Sequence, residues 1–142
     1  MEQLKQLATR FPDKFIHKNP SGFGDYIQHS VIRQRLLSVL GVYSTKVVET
    51  IYDGDKVTGV ILELCAEIDG KQVCVQEAGD VENPDNWKTN GARMKDAMSD
   101  ALKRCAMAMG CGLHLWSQIK ENGQLQDEYF LDKQLDKSKD NG

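Results

Sequence analysis

The sequence predicts an α+β fold: N-terminal helices, a three-stranded antiparallel β-meander, and a long amphipathic helix packed on it. Three observations predict it. Residues 42–78 are rich in Val, Ile, Thr and Tyr and are broken at Asp53-Gly54-Asp55 and Asp69-Gly70, the composition of strands joined by tight hairpin turns. Inside that stretch Val60, Leu62, Leu64, Ala66 and Ile68 alternate with polar residues, the period of two of a half-buried strand. Residues 86–109 then switch to a period near 3.6, and with about 100° per residue the apolar positions gather on one helix face.

Each element follows from local chemistry. Residues 1–10 read as a short amphipathic helix with Leu4 and Leu7 on one face, broken by Phe11-Pro12. His17 to Asp25 (HKNPSGFGD) is turn chemistry. From Tyr26 to Leu40 the positions Ile27, Val31, Leu36, Leu37 and Leu40 fall at helical spacing, and Gly41 supplies the stop. Strands are expected over 42–52, 57–68 and 71–78, followed by a polar turn containing Pro84. In the long helix Trp87, Gly91, Met94, Met98, Ala101, Cys105 and Met109 form the expected sheet-facing side. Arg93, Asp96, Asp100, Lys103, Arg104 and Met107 are placed opposite. Gly110-Cys111-Gly112 ends the helix and Leu113–Trp116 is a short apolar continuation. From Ser117 the chain is polar. Leu125, Phe130, Leu131 and Leu135 permit a weak helix, and disorder is expected over 138–142. The chain thus divides into a domain over 1–116 and an acidic tail over 117–142.

With 142 residues, 40% hydrophobic and 27% charged, the chain has the size and composition of one globular domain, not of a disordered segment. Nothing approaches the roughly 18 consecutive apolar residues of a membrane span, and the opening residues lack the apolar middle of a signal peptide. A soluble cytoplasmic protein, in the host cytoplasm or nucleoid, is the expectation, with no membrane partner. The net charge of −3 lies wholly in residues 121–142, because residues 1–120 hold 15 Lys+Arg and 15 Asp+Glu. Cys65, Cys74, Cys105 and Cys111 show no closely spaced ligand pairs, which argues against structural zinc. A core of this size forms without staples, so all four are expected to be small buried apolar residues and not a disulfide framework.

Enzyme signatures fail. There is no phosphate-cradling G-x-x-x-x-G-K-[ST], and Gly22-Phe23-Gly24 and Gly110-Cys111-Gly112 lack the third glycine of a dinucleotide site. His17, His29 and His114 are scattered and read as incidental. Glu63, Glu67 and Asp80 could hold magnesium in a nuclease, but on alternating strand positions they read more simply as a solvated face. No cofactor, metal or catalytic residue is expected. The basic content of residues 85–104 is different: Lys88, Arg93, Lys95, Lys103 and Arg104 stand against Asp85, Asp96 and Asp100, a local excess of two positive charges. Such a face can track a phosphate backbone by displacing counterions. It can equally be a solvated helix face with Asp96 or Asp100 paired to Lys103 or Arg104.

The run Lys95-Asp-Ala-Met-Ser-Asp-Ala-Leu-Lys-Arg104 closely resembles the signature helix of the Rad-fifty-two superfamily of single-strand annealing proteins. Gly110 and Leu113–Trp116 resemble that family's exit from the helix, and Asp25 to Gly41 resembles its Tyr-Ile-x-helix-Gly segment. The meander lies between the two in the family's order, so the resemblance covers most of residues 12–116. It implies a β-β-β-α core assembling as a homo-oligomeric ring or arc of the compact phage or bacterial type. It also implies ATP-independent binding of single-stranded DNA and annealing of complementary strands in homologous recombination or repair, beside an exonuclease or a single-strand-binding protein. DNA would lie backbone-inward in a basic groove lined by Lys103 and Arg104. Lys18 would match a basic residue ahead of the glycine-containing turn, and Lys88 would serve a second, outer path; Arg93 and Lys95 belong to the same basic helix. A further family arginine falls at Met107, a departure from the pattern. The alternatives from other classes are a small metal-dependent nuclease using strand carboxylates and a structural oligomer without DNA.

Overall fold

The computed structural model describes residues 2–18, 25–112, 120–121 and 124–125. The N-terminal segment folds as α1 (Glu2–Ala8), a 3-10 turn over Asp13–Phe15, the short antiparallel pair β1 (His17–Lys18) and β2 (Asp25–Tyr26), and α2 (His29–Leu40). Leu7 of α1 is buried, and Arg35 of α2 locks the end of that helix. Its guanidinium stacks 4.0 Å over the Phe11 ring and donates to the Thr9 carbonyl at 2.7 Å. Gln3 ties α1 to the far end of the sheet: its side chain accepts from the Asp69 N–H at 2.6 Å and donates to the Val39 carbonyl at 3.1 Å.

The meander is β3 (Ser44–Asp53), β4 (Lys56–Ile68) and β5 (Lys71–Asp80), with β4 central. Both connections are two-residue turns, since Asp53 pairs with Lys56 and Ile68 with Lys71. Asp69 and Gly70 both have positive φ, 50° and 82°. That is the mirror-image turn whose twist matches the strands, and the reason Asp-Gly is favoured there. The β3–β4 register slips twice, between Val47 and Glu49 and between Ile51 and Tyr52, bulges that increase the local twist of the edge strand. The β4–β5 ladder continues one rung past Asp80, where the Thr58 carbonyl accepts from the Val81 N–H at 2.9 Å.

α3 (Asn90–Ala108) covers one face of the sheet. Thr89 caps it, its hydroxyl accepting from the Ala92 N–H at 3.1 Å. Gly110, at φ 92°, ends it by turning the Cys111 N–H back onto the Ala106 carbonyl. The core lies between Val60, Leu62, Leu64, Ala66 and Ile68 of β4 and Ala97, Ala101, Leu102 and Cys105 of α3, as the alternation of β4 predicts. Helix and sheet come closest at Gly79 of β5. A Cβ there would press against the Ala97 carbonyl and the Ala101 N–H and lie 2.7 Å from the Ala101 Cβ.

That close approach corrects the expected helix face. Small residues must lie on the line of contact, so Ala97, Ala101 and Cys105 form the buried centre while Met94 and Met98 pack at the margin. Gly91 and Trp87 are exposed, Trp87 by 39%. Arg93, expected in solvent, is 8% exposed. On α2, Ile32 joins Leu36 in the core, whereas Leu37, expected on that face, is 53% exposed.

The cysteines also need correction. Cys105 and Cys111 are buried free thiols, but Cys65 and Cys74 are joined in a disulfide between β4 and β5, with Cys74 exposed. They face each other in register, Cα atoms 4.1 Å apart. Counting outward from the Ile68–Lys71 pair makes theirs a non-hydrogen-bonded pair, the closely approaching kind in an antiparallel ladder. Leu125, expected in a weak helix, lies in β7 (Gln124–Leu125), which pairs with β6 (Lys120–Glu121). Phe23, Leu113–Trp116 and the remainder of the expected tail lie outside the described residues.

Candidate nucleic-acid interface

Two flanks of α3 carry polar side chains, and the fold gives them different surroundings. On the flank toward β5, Arg93 reaches inward. Its Nε donates to the Pro84 carbonyl at 2.9 Å, one terminal nitrogen donates to Asn90 Oδ1 at 2.9 Å, and the other donates to the Trp87 carbonyl. Asn90 Oδ1 also accepts from the Val57 N–H at 3.1 Å, and its amide donates to the Asp55 carbonyl at 2.8 Å. Arg93 therefore fastens the loop over 84–87 to the start of α3, and its fork is occupied. Three of its five N–H groups are engaged and the side chain is 8% exposed, which sets Arg93 apart from the exposed basic residues of the same helix. Further along the same flank the Asp96 and Asp100 carboxylates accept from the Glu82 and Asp80 N–H groups at 2.9 and 3.0 Å. Asp100 also pairs with Arg104, Nε to Oδ2 at 3.2 Å. One of the expected intrahelical pairs is thus present, and it engages one of the two residues carried over to the groove.

On the other flank a cavity of about 320 Å³ opens between α2, α3 and the sheet, lined by His29, Arg33, Thr45, Leu62, Lys95, Met98, Ser99 and Leu102. His29 and Arg33 are one turn apart on α2, as Lys95 and Ser99 are on α3, so two i,i+4 pairs face each other over the opening. Arg33 lies 3.4 Å from His29 Nε2. An arginine can only donate, so in this contact Nε2 is the acceptor, the arrangement of the tautomer with its proton on Nδ1. Burial, then Arg33, then Lys103 hold the His29 pKa below its ordinary value. Lys103 is half-buried, and burial depresses its pKa against the opposing pull of Asp100 and Asp96. Among the described residues Arg33, Lys95 and Lys103 enter no ion pair within 4 Å. Cations converge here on a partly enclosed space that offers hydroxyls from Thr45 and Ser99, an arrangement suited to a phosphodiester.

Of the sequence-predicted site residues, Lys95 lines this cavity and Lys103 lies within electrostatic range of His29. Arg104 is exposed and paired to Asp100. Lys88 is exposed just ahead of the Thr89 cap, and Lys18 is exposed on β1 opposite Asp25; neither lines the cavity. Sequence reasoning missed Arg33 and set His29 aside as incidental. The available signal was their spacing of four on α2, on the flank beside the core residues Ile32 and Leu36.

The carboxylates of the nuclease alternative do not gather. Glu63, Glu67 and Asp80 pair across the ladder with Gln76, Gln72 and Gly59, at separate levels of the sheet face away from α3. Stacking contacts are equally sparse: Tyr26 lies against the His17 ring at 5.3 Å, and Tyr43 packs partly buried on the core. No helix among the described residues is long and apolar enough to cross a membrane. Compared with known proteins, the chain matches no family model and no curated protein.

Proposed function

We propose that the chain binds single-stranded DNA through its phosphates and anneals complementary strands without ATP, acting in recombination or repair as a homo-oligomer. The observation that carries this reading is Arg33 and Lys95 lining one cavity without acidic partners among the described residues, with Lys103 close by. A backbone held by such cations leaves its bases turned outward and available for pairing, so annealing needs no separate chemical step. The resemblance of Lys95 to Arg104 to the annealing-protein helix supports the same face. Assembly above the dimer is supported by the edge strand β3, where Val48, Ile51 and Tyr52 are exposed by 46%, 39% and 57%. An edge with apolar side chains and unpaired backbone groups favours pairing with another chain. Lys46 and Glu49 are the charges that blunt this edge, and Glu63 lies on the central strand.

The test is annealing of complementary oligonucleotides, without nucleotide, by the protein and by Arg33→Ala/Lys95→Ala. Binding is followed by fluorescence anisotropy over a salt series. The expected result is accelerated annealing by the parent with DNA remaining full-length in magnesium. For the variant, a log–log salt slope smaller by about 1.4 is expected, roughly 0.7 per lost phosphate contact. Equal slopes at equal oligomer size would overturn the assignment of the groove. Magnesium-dependent loss of DNA would favour the nuclease, and a 16.0 kDa species in light scattering with and without DNA would remove the oligomer.

A further inference from the structure

The face of the sheet away from α3 carries a second cluster with chemistry of its own. Cys65 and Cys74 sit there side by side in a non-hydrogen-bonded pair, and the next pair on that face, two residues along, is Glu63 with Gln76. Gln76 Nε2 donates to Glu63 Oε2 at 2.8 Å, which turns the other carboxylate oxygen, Oε1, to 3.4 Å from Cys65 Sγ. A bridged sulfur has no proton to give, so that approach is not a hydrogen bond in the disulfide state. It becomes a bonding arrangement only when the sulfurs are reduced. The two sulfurs and the Glu63 oxygen all lie within 4.8 Å of one another, and the site opens to solvent through the exposed Cys74. Ligands at about 2.0–2.3 Å from a tetrahedral zinc stand roughly 3.3–3.8 Å apart, so small side-chain rotations suffice to enclose an ion.

We propose that Glu63, Cys65 and Cys74 form a redox-gated site for a thiophilic divalent cation such as Zn²⁺, closed while the sulfurs are bridged and open once they are reduced. A dithiol opens it. One of its thiolates attacks the exposed Cys74 sulfur, the Cys65–Cys74 bond breaks, and Cys65 leaves as thiolate. The dithiol's second sulfur then displaces Cys74 and closes its own disulfide, so two electrons and two protons pass from the dithiol to the pair. Metal binding releases the two thiol protons and places two thiolates and a carboxylate on the ion, with a water in the fourth position. Gln76 acts as the outer partner that fixes the carboxylate, the usual arrangement behind a metal ligand. The other two cysteines do not compete: burial pushes the Cys105 thiol up to about 11 and that of Cys111 up to about 12.

The full-length protein is titrated with Co²⁺ before and after treatment with dithiothreitol under native conditions, with thiols counted at each stage. The expected result is two newly reactive thiols without denaturant and a sulfur-to-cobalt charge-transfer band saturating at one ion per chain, seen only after reduction and abolished by Zn²⁺. Cys74→Ser, which keeps Cys105 and Cys111, should lose the band. Glu63→Gln, which keeps both sulfurs and the fold, should weaken binding about tenfold or more. A disulfide that resists dithiothreitol until the chain is unfolded would overturn the proposal. So would a reduced protein without the band, or a band retained in Cys74→Ser.

Discussion

The flank of α3 facing β5 and the flank facing α2 are both polar, yet only the first is consumed by the fold. Toward β5, Arg93, Asp96 and Asp100 are bonded to backbone groups of the chain that leads into the helix, and Asn90 to backbone groups at the β3–β4 turn. Toward α2, Arg33 and Lys95 line an open cavity and have no acidic partner among the described residues. The difference teaches that a basic count along a helix does not identify a binding face. What matters is which cations are already satisfied, because a satisfied cation must break a bond before it can take a phosphate.

Breaking the comparison hardest means removing Arg93. Arg93→Ala removes the donor to the Pro84 and Trp87 carbonyls and one of the two donors to Asn90 Oδ1, and losing those bonds to a buried charge should cost about 3 kcal/mol of stability. Urea denaturation reads that loss, and the salt slope for single strands should stay that of the parent. Arg33→Ala/Lys95→Ala should behave in the opposite way, with stability within about 0.5 kcal/mol of the parent because both side chains face open space. If it unfolds as easily as Arg93→Ala, the two flanks are not distinct.

His29 sharpens the contrast through pH. Its folded pKa lies below the unfolded value of 6.5, so the unfolded chain takes up the proton first as pH falls. Stability is therefore complete above 6.5 and is lost as pH falls through the depressed folded value. A phosphate in the cavity offsets the fields of Arg33 and Lys103 and favours the protonated ring. Affinity for single strands should then rise over the same window, by up to tenfold for each unit of pKa recovered. His29→Gln should flatten both profiles, in thermal melts and in anisotropy. A slope unchanged in the variant would take His29 out of the site.

The smallest effects separate Lys103 from Arg104. Lys103→Ala should shrink the salt slope by about 0.7, whereas Arg104→Ala should change it less, because Asp100 already neutralises that charge. An exposed i,i+4 pair of this kind contributes roughly 0.3–0.5 kcal/mol, so neither variant should shift a urea midpoint far. Equal slope changes would show that the Asp100 pair gives way to DNA.

The meander and its turns were legible because their signals are local. Asp69-Gly70 dictates a two-residue turn, and the alternation from Val60 to Ile68 dictates which side of β4 is buried. The disulfide was legible too, though it was not read. Once Ile68 pairs with Lys71, Cys65 and Cys74 are equidistant from the turn and must meet. Half of the candidate site was within reach, since Lys95 and Lys103 stand out on a basic helix. Arg33 was harder to reach: its spacing of four from His29 is visible on α2, but its role comes from α2 lying beside α3.

What the sequence determines by itself is therefore the three strands of the meander, the long helix after them, the turns between the strands and the register that follows from those turns, since each depends on neighbours a few residues away. The tertiary structure decides the rotation of α3 on the sheet. Gly79 lets the helix backbone come so close that only Ala97, Ala101 and Cys105 fit on the line of contact. That rotation carries Arg93 inward to the Pro84 and Trp87 carbonyls and places Lys95 at the mouth of the cavity beneath α2. Two cations two residues apart on one helix thus receive opposite roles. Helical geometry sets them about 200° apart, and the rotation of the helix on the sheet decides which of the two turns inward.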